Sequence, residues 1–286
     1  MNILSIQSWV AYGHVGNASA VFPLQRLGAE VWAINTVQFS NHTGYGHWTG
    51  DVFSGAQVRA LVDGVAARGV FPRCDAVLTG YVGDVGIGEA ILDAVARVRA
   101  ANSRAVWCCD PVIGDDRDGV YVRPGIAEML RDRMLPACDI STPNRFELEL
   151  LTGRACRTLA DAKAAVTRIA GMMHPGGPRC VLLTSLRTEA TPEDATDMLV
   201  FEAGRFHLLR TPLLPVDVNG AGDAIAALFL FHRLHSGSEV AALEAAGAAI
   251  YGLLRQTAAA GSAEILTVAA QEEFVAPGQR FLAEPC

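Results

Sequence analysis

Residues 219–229 read Asn219-Gly220-Ala221-Gly222-Asp223-Ala224-Ile225-Ala226-Ala227-Leu228-Phe229, a glycine-rich turn that runs directly into an apolar helix. The two glycines let the backbone turn tightly with its N–H groups exposed, and the helix adds the positive end of its dipole. This combination predicts an anion hole for a phosphoryl group, into which Asp223 would point as a proton acceptor. The alternative is a turn in which Asp223 only caps the helix.

Upstream of this turn, short β-branched runs alternate with stretches of helical periodicity. Ser54 is predicted to be the N-cap of one helix, and Thr158 and Asp161 resemble a capping box that opens another. Pro23 predicts a kink in a helix over residues 17–27. A hairpin is predicted from 198–203 and 205–209. The other predicted strands cover residues 3–7, 31–37, 76–79, 105–109, 139–141 and 180–184.

This alternation predicts an α/β fold, a three-layer α/β/α sandwich with a mostly parallel central sheet, because parallel neighbours need crossover connections. The chain has no linker, repeat or low-complexity tract, so residues 1–286 are predicted to form a single domain. Hydrophobic residues make up 51% and charged residues 19%, which provides a large core and argues against disorder.

The charge and the cysteines narrow the class of protein. A formal net charge of −7 argues against nucleic acid or an anionic membrane as partner. The N-terminus has no charged leader and its apolar run is short, so neither a signal peptide nor a membrane span is expected. The seven cysteines form no paired CxxC motifs, which argues against zinc and for reduced core thiols. We therefore expect a cytoplasmic enzyme.

Polar residues follow the predicted strands, at the end where an open α/β sheet binds its ligands. Six strand ends carry such candidates, which makes loop composition alone a poor explanation. They are Ser8; Phe39, Asn41 and Thr43; Gly80 and Tyr81; Asp110 and Pro111; Thr142 and Asn144; and Thr184 and Ser185.

Two carboxylates among these segments are candidate magnesium ligands. Asp110 ends an apolar strand, where a lone charge is costly unless a cation accompanies it. Glu147 lies three residues after Asn144, so both side chains share one face of a first helical turn. Oxygen atoms of this kind suit Mg²⁺ and its waters. The alternative for Glu147 is a structural capping arrangement with Asn144.

Residues 115–121 follow the fourth strand and contain the hairpin signal Asp118-Gly119. A polar flap at this place would exclude water from a transferring phosphate, although the segment could equally be a solvated turn. The chain has no GxxxxGK[ST] motif, and Lys163 is its only lysine. A Walker-type NTPase and a protein kinase are therefore excluded.

The order and content of these motifs resemble the pyridoxal kinases of the ribokinase-like superfamily. The resemblance runs from residue 3 to about residue 235, and Val37 to Tyr45 (VQFSNHTGY) is its most specific part. The other matching runs are Ile6-Gln7-Ser8, Gly13-His14-Val15-Gly16-Asn17, Leu78-Thr79-Gly80-Tyr81, Cys109-Asp110-Pro111-Val112 and Thr142-Pro143-Asn144-Arg145-Phe146-Glu147-Leu148.

The resemblance implies an ATP-dependent kinase that phosphorylates the 5′-hydroxyl of pyridoxal, with Asp223 as base and Gly220, Ala221 and Gly222 as anion hole. It implies a vitamin pocket made of Ser8, Val15, Val37, Phe39, Thr43, Tyr81, Tyr121 and Asp223. It implies a nucleotide side made of Asp110, Asp115, Thr142, Asn144, Glu147, Thr184, Ser185, Thr211, Pro212, Leu213 and Leu214. Mg²⁺ near Asp110 and Glu147, a monovalent cation such as K⁺, and a homodimer are further expectations of the family.

Two other functions remain open on the sequence. A kinase of the same superfamily that acts on hydroxymethylpyrimidine or another small alcohol would share residues 220–223, although Val37 to Thr43 and Tyr81 favour pyridoxal. A non-catalytic carrier or regulator that binds vitamin B6 would keep the pocket. Such a carrier would have no use for a base beside an anion hole.

Overall fold

The computed structural model describes residues 1–286 and contains one ten-stranded sheet between two layers of helices. The strands are β1 (Asn2–Val10), β2 (Glu30–Phe39), β3 (Gly50–Val52), β4 (Ala76–Thr79), β5 (Val106–Cys109), β6 (Gly114–Asp115), β7 (Gly119–Val120), β8 (Ile140–Ser141), β9 (Cys180–Leu186), β10 (Ala195–Glu202), β11 (Arg205–Pro212) and β12 (Glu284–Pro285). The α-helices are α1 (Asn17–Arg26), α2 (Gly55–Ala66), α3 (Val85–Ala101), α4 (Ile126–Met129), α5 (Arg145–Thr152), α6 (Leu159–Met172), α7 (Ala221–Ser236), α8 (Glu239–Ala259) and α9 (Glu272–Val275).

The sheet has the order β12-β11-β10-β9-β8-β5-β4-β1-β2-β3, and its six central strands, β9 to β2, are parallel. The antiparallel hairpin β10–β11 extends one side, as predicted, while β3 pairs antiparallel with β2 on the other. Strands β6 and β7 form a separate two-stranded ribbon, which confirms the Asp118-Gly119 hairpin signal. The predicted α/β architecture is confirmed.

Alternating strand residues divide the core into two layers, because successive side chains of a strand point to opposite faces. Leu4 and Cys109 pack with α2 to α6 on one face, and Ile3 and Cys108 pack with α1 and α7 to α9 on the other. All seven cysteines are free thiols. None of the helices is both long and apolar enough to span a membrane.

The structure confirms the predicted helix caps. Ser54 caps α2, and Thr158 with Asp161 forms the predicted capping box of α6. Helix α1 continues through Pro23, which is buried together with Leu24. We infer that this burial offsets the helix hydrogen bond that proline cannot donate.

Candidate functional site

The predicted polar residues gather at the carboxyl edge of the parallel strands. Asp110 directly follows β5 and Thr142 directly follows β8. Ser8 and the pair Thr184–Ser185 lie inside the ends of β1 and β9, because these strands run beyond their predicted limits. This edge is where an open α/β sheet forms its ligand crevice.

A cavity of about 500 Å³ opens at this edge, which we call the substrate cavity. It has apolar walls and a few polar side chains, the usual character of a pocket for a small organic molecule. All the residues predicted for the vitamin pocket line it, namely Ser8, Val15, Val37, Phe39, Thr43, Tyr81, Tyr121 and Asp223.

A β-bulge shapes one wall of the substrate cavity. The register between β1 and β2 shifts after Gln7, so that two residues of β2, one of them Val37, face Ser8 alone. Bulges re-aim side chains in this way at functional sites. The buried Asn17 supports the bulge, because its Nδ2 donates to the carbonyl of Ile34 at 3.0 Å.

Aromatic and polar side chains of the loop after β2 complete this wall. The rings of Phe39 and Trp48 lie 4.1 Å apart between centroids, at an interplanar angle of 42°. The Nδ1 atom of His42 accepts a hydrogen bond from the N–H of Gly44 at 3.2 Å, which fixes the single turn that contains Thr43. His42, Gly44 and Trp48 line the cavity as well, although they were not predicted as site residues.

The glycine-rich turn before α7 forms the floor of the cavity. Gly220 has φ +87°, and a Cβ atom there would lie 1.8 Å from the carbonyl oxygen of His14, so only glycine fits. Gly220 is the N-cap of α7 and offers no side-chain cap, and the N–H groups of Ala221 and Gly222 have no acceptor. A Cβ atom at Gly222 would meet nothing within 4 Å. The start of α7 therefore has two N–H donors without a protein acceptor, and a side chain at Gly222 would extend into open space.

Asp223 lies in the first turn of α7 and lines the substrate cavity. Burial raises the pKa of its carboxyl to about 6, and the backbone N–H groups of Gly16 and Asp223 itself offset part of this rise. A carboxylate with a pKa near 6 is ionised at neutral pH and is a better proton acceptor than an ordinary aspartate. Its place and its pKa both suit a general base.

Asp110 and Glu147 are buried, and neither forms an ion pair with a basic side chain. The pKa of Asp110 is raised well above its usual value by burial and by the negative charges of Glu147 and Asp223, while a 2.8 Å hydrogen bond from Thr142 lowers it. Burial likewise raises the pKa of Glu147 to about 8. Such uncompensated carboxylates would be stabilised by a divalent cation.

Glu147 also has the structural role that the sequence left open. It forms a capping box with Asn144, in which the Asn144 N–H donates to Glu147 Oε2 at 2.9 Å and the Glu147 N–H donates to Asn144 Oδ1 at 2.8 Å. The N–H of Ile113 donates to Glu147 Oε1 at 2.9 Å. The capping interpretation is confirmed, and the same side chain anchors the base of the β6–β7 ribbon.

A second cavity, of about 270 Å³, lies beside the substrate cavity and is almost entirely polar. Of the residues predicted for the nucleotide side, Asp115, Asn144 and Ser185 line it. Ser185 has φ +52° and lies in a bulge of β9 opposite β10, a strained position of the kind that occurs at binding sites. Asp115 and Asn219 line both cavities, so the two spaces meet there.

The other residues predicted for the nucleotide side line neither cavity. They are Asp110, Thr142, Glu147, Thr184, Thr211, Pro212, Leu213 and Leu214. Thr184 is held at the edge by its N–H, which donates to the carbonyl of Pro143 at 3.0 Å.

Arginines at this second cavity were not predicted as site residues. Arg117, between β6 and β7, pairs with Asp118 and Asp217, and its Nη2 lies 3.4 Å from Asn219 Oδ1. Arg145 pairs with Asp116 at 2.8 Å. The ribbon tip is therefore tied to the turn before α7. The absence of a usable lysine in the sequence was the signal that could have indicated these arginines.

Comparisons with known proteins agree with this geometry. The family model of phosphomethylpyrimidine kinase matches residues 32–267. The chain is 67% identical to a pyridoxal kinase PdxY of Granulibacter bethesdensis over 100% of both chains. It is 54% identical to the pyridoxal kinase PdxY of Deinococcus radiodurans, over 99% of this chain and 96% of that one.

Solved structures give the same result. A pyridoxal kinase from Leishmania donovani in complex with ADP and pyridoxamine has a TM-score of 0.92 and 29% identity, covering 100% of this chain and 99% of that one. Fold and sequence identity agree, and the chain belongs to the pyridoxal kinase family of the ribokinase-like superfamily.

Proposed function

We propose that this protein is an ATP-dependent pyridoxal kinase, which transfers the γ-phosphoryl group of ATP to the 5′-hydroxyl of pyridoxal and yields pyridoxal 5′-phosphate for vitamin B6 salvage. One observation carries the proposal: Gly220 and Asp223, at the start of α7, line a substrate cavity that meets a polar second cavity at Asp115 and Asn219. An alcohol in one space and a triphosphate in the other would meet at the base.

The chemistry follows from this placement. A carboxylate oxygen of Asp223 accepts the proton of the 5′-hydroxyl as the hydroxyl oxygen forms a bond to the γ-phosphorus. The bond between that phosphorus and the β–γ bridging oxygen breaks, and ADP leaves with the electron pair. The N–H groups of Ala221 and Gly222 donate to the oxygens of the transferring group. Positioning and charge stabilisation of this kind are the main demands of phosphoryl transfer.

We propose that Arg117 and Arg145 neutralise the nucleotide phosphates, because the only lysine, Lys163, lies in α6 away from the site. The phosphates would compete with the carboxylates that these arginines now contact. Thr184, Ser185 and the segment 211–214 are proposed to line the rest of the nucleotide. Ser8 and Thr43 are proposed to bind the polar groups of the pyridine ring, between the walls of Val15, Val37, Phe39 and Tyr81.

Asp110 and Glu147 fit a magnesium ion that is held largely through water and phosphate, since both are buried without a basic side chain as partner and their pKa values are raised. Bound Mg²⁺ would neutralise charge on the phosphates. A K⁺ ion at the same edge is a further proposal of the family resemblance.

Magnesium should therefore stabilise the protein in a pH-dependent manner. The raised pKa of Asp110 means that the folded state binds this proton more tightly than the unfolded state. The stabilisation that this proton provides is fully present below the pKa of Asp110 in the unfolded chain. It is lost as the pH rises through the higher pKa of Asp110 in the folded state. We expect Mg²⁺ at a concentration on the order of ten times its Kd to raise Tm by about 2–4 °C at pH 8 and by less at pH 5.

Asp110→Asn removes the buried charge but keeps an oxygen that can accept from Thr142. We expect it to abolish most of the Mg²⁺ response in a thermal melt without lowering Tm in metal-free buffer at pH 8. An equal Mg²⁺ response in wild type and variant would contradict the assignment. The same melt with KCl tests the potassium proposal.

The ribbon from Gly114 to Val120 and the adjoining Tyr121 are proposed to be the flap over the substrate. Tyr121 lines the cavity but is largely exposed. We expect Tyr121→Ala to raise KM for pyridoxal about fivefold, because a covering aromatic ring contributes on the order of 1 kcal/mol. Steady-state kinetics with saturating ATP measure it, and an unchanged KM would show that Tyr121 does not close over the ring.

The substrate proposal is tested by identifying the product. Incubation with pyridoxal and Mg-ATP should release ADP and add one phosphoryl group to pyridoxal, on the 5′ oxygen, as shown by mass spectrometry and ³¹P NMR. Folded protein that binds pyridoxal but never yields this product would favour a carrier or regulator instead.

Hydroxymethylpyrimidine, the alternative substrate from the sequence, is the second candidate, since the matched family model is that of a kinase for a related pyrimidine. We further propose that residues 1–286 form a single kinase domain and that the protein forms a homodimer. We also propose that it acts in the cytoplasm, where its seven free thiols would stay reduced. Size-exclusion chromatography with light scattering measures the molar mass and would distinguish a monomer from a homodimer.

A further inference from the structure

Residues 262–266, between α8 and α9, contact two loops that line the substrate cavity, although they are distant from both loops in sequence. Glu264 uses both carboxylate oxygens there. Its Oε2 accepts from the N–H of His14 at 3.2 Å, and its Oε1 accepts from the hydroxyl of Tyr45 at 2.7 Å. One side chain thus joins the loop after β1 to the loop after β2.

Both loops contribute residues to the walls of the substrate cavity. Val15, next to His14, lines it from the loop after β1, and Thr43 and Gly44, just before Tyr45, line it from the loop after β2. The rings of Tyr12 and Tyr45 meet edge to face, 6.2 Å apart between centroids, which adds a second contact between the loops. The spacing of the walls therefore depends on the contacts at Glu264.

The surroundings of Glu264 are shaped to hold its carboxylate. Ser262 Oγ accepts from the N–H of Glu264 at 3.1 Å and donates to its carbonyl at 2.6 Å. Gly13 has φ +90°, and a Cβ atom there would lie 2.3 Å from Glu264 Oε2. Only glycine allows the loop after β1 to come this close. The hydrogen bond to Glu264 also raises the pKa of Tyr45 to about 12, so Tyr45 remains a donor.

The same segment touches the start of α7. The carbonyl of His14, whose N–H binds Glu264, packs directly against Gly220. Ile265, the next residue after Glu264, is fully buried, and its Cδ1 lies 3.1 Å from the position of a Cβ at Gly220. Glu264 therefore helps to define where the substrate loops stand relative to the anion hole.

We propose that Glu264 is a positioning residue for the kinase reaction: it clamps the loops that carry Val15 and Thr43 at the spacing that the pyridine ring requires. This inference rests on the proposed function. Glu264 itself contacts no reacting atom, so its effect is on substrate binding. Preformed walls reduce the ordering that the substrate must impose when it binds.

Kinetics of Glu264→Ala, Tyr45→Phe and the double variant test the clamp. We expect Glu264→Ala to raise KM for pyridoxal about tenfold, because it removes two hydrogen bonds to a charged acceptor, with kcat and KM for ATP within about twofold of wild type. Tyr45→Phe should raise the same KM by less. The double variant should match Glu264→Ala, since both changes remove one shared contact.

Two further variants make the result specific. Glu264→Gln keeps one acceptor oxygen and should lie between wild type and Glu264→Ala in KM for pyridoxal. Glu272→Ala removes an exposed partner of Arg26, away from the cavity, and should change neither KM.

An unchanged KM for pyridoxal in Glu264→Ala would overturn the clamp. Equal rises in KM for pyridoxal and KM for ATP would also overturn it, as would a lower Tm with normal kinetics per folded molecule. Failure of wild type to phosphorylate pyridoxal would instead overturn the proposed function, so the two failures are distinguishable.

Discussion

Asp223→Asn is expected to lower kcat for pyridoxal by about 10²- to 10⁴-fold, the usual contribution of a general base. The amide has nearly the shape of the carboxylate but cannot accept the proton of the 5′-hydroxyl. Because the loss falls on the chemical step, Kd for pyridoxal should stay within a few-fold of wild type. Steady-state kinetics and calorimetric titration with pyridoxal measure the two quantities.

The pH profile is the second readout of the same carboxylate. Since burial raises the pKa of Asp223 to about 6, wild-type kcat/KM should fall by about tenfold per unit below that pH, where the base is protonated. Asp93→Asn changes a half-buried residue of α3 that pairs with Arg59 and Arg97, away from the cavity, and should leave both rate and profile unaltered. Turnover of Asp223→Asn within a few-fold of wild type would show that Asp223 is not the base.

Gly222→Ala is expected to lower kcat/KM by about 10²-fold without destabilising the protein. A Cβ atom at this position has nothing within 4 Å, so the fold accepts it. However, side chains of a helix tilt toward its N-terminus, and the added methyl group would enter the space where the N–H groups meet the phosphoryl oxygens. Kinetics and a thermal melt on the same preparation test both parts.

Gly171→Ala is the matched control. Gly171 also lies in an α-helix, α6, with nothing within 4 Å of an added Cβ atom. Both variants should have an unchanged or slightly raised Tm, because alanine favours a helix over glycine by roughly 0.5–1 kcal/mol. Only Gly222→Ala should lose activity. Normal activity in Gly222→Ala would place the transferring phosphoryl group elsewhere.

The sequence predicted the sheet and the edge that carries the site well because the relevant signals are local, whereas the residues of the substrate cavity were implied by the family resemblance. Each strand is a short apolar run, and the polar residue at its end lies at the carboxyl edge whatever the crossover between strands looks like. The β6–β7 ribbon and the caps at Ser54 and Thr158 depend on a few adjacent residues in the same way. Local chemistry of this kind can be interpreted without knowledge of tertiary contacts.

Other parts of the site could not be predicted because they depend on contacts between distant segments. Glu264 meets His14 across 250 positions, and although His14 lies in one of the matching runs, no motif marks Glu264 or its contact with His14. Arg117 likewise pairs with Asp217, which lies 100 positions further along the chain. The edge strands β3 and β12 could not be predicted either, because both are short and polar. They form only where a neighbouring strand, β2 or β11, offers hydrogen bonds. The nucleotide-side roles of residues 211–214 stay predictions.

The most direct test of the proposed activity compares kcat/KM for pyridoxal, pyridoxine, pyridoxamine and hydroxymethylpyrimidine in one ADP-release assay with Mg-ATP. The account predicts turnover of pyridoxal, with a kcat/KM at least about tenfold above that for hydroxymethylpyrimidine, because Ser8 and Thr43 are proposed to bind the polar groups of the pyridine ring. A higher kcat/KM for hydroxymethylpyrimidine, or no turnover of pyridoxal by folded protein that binds ATP, would contradict it.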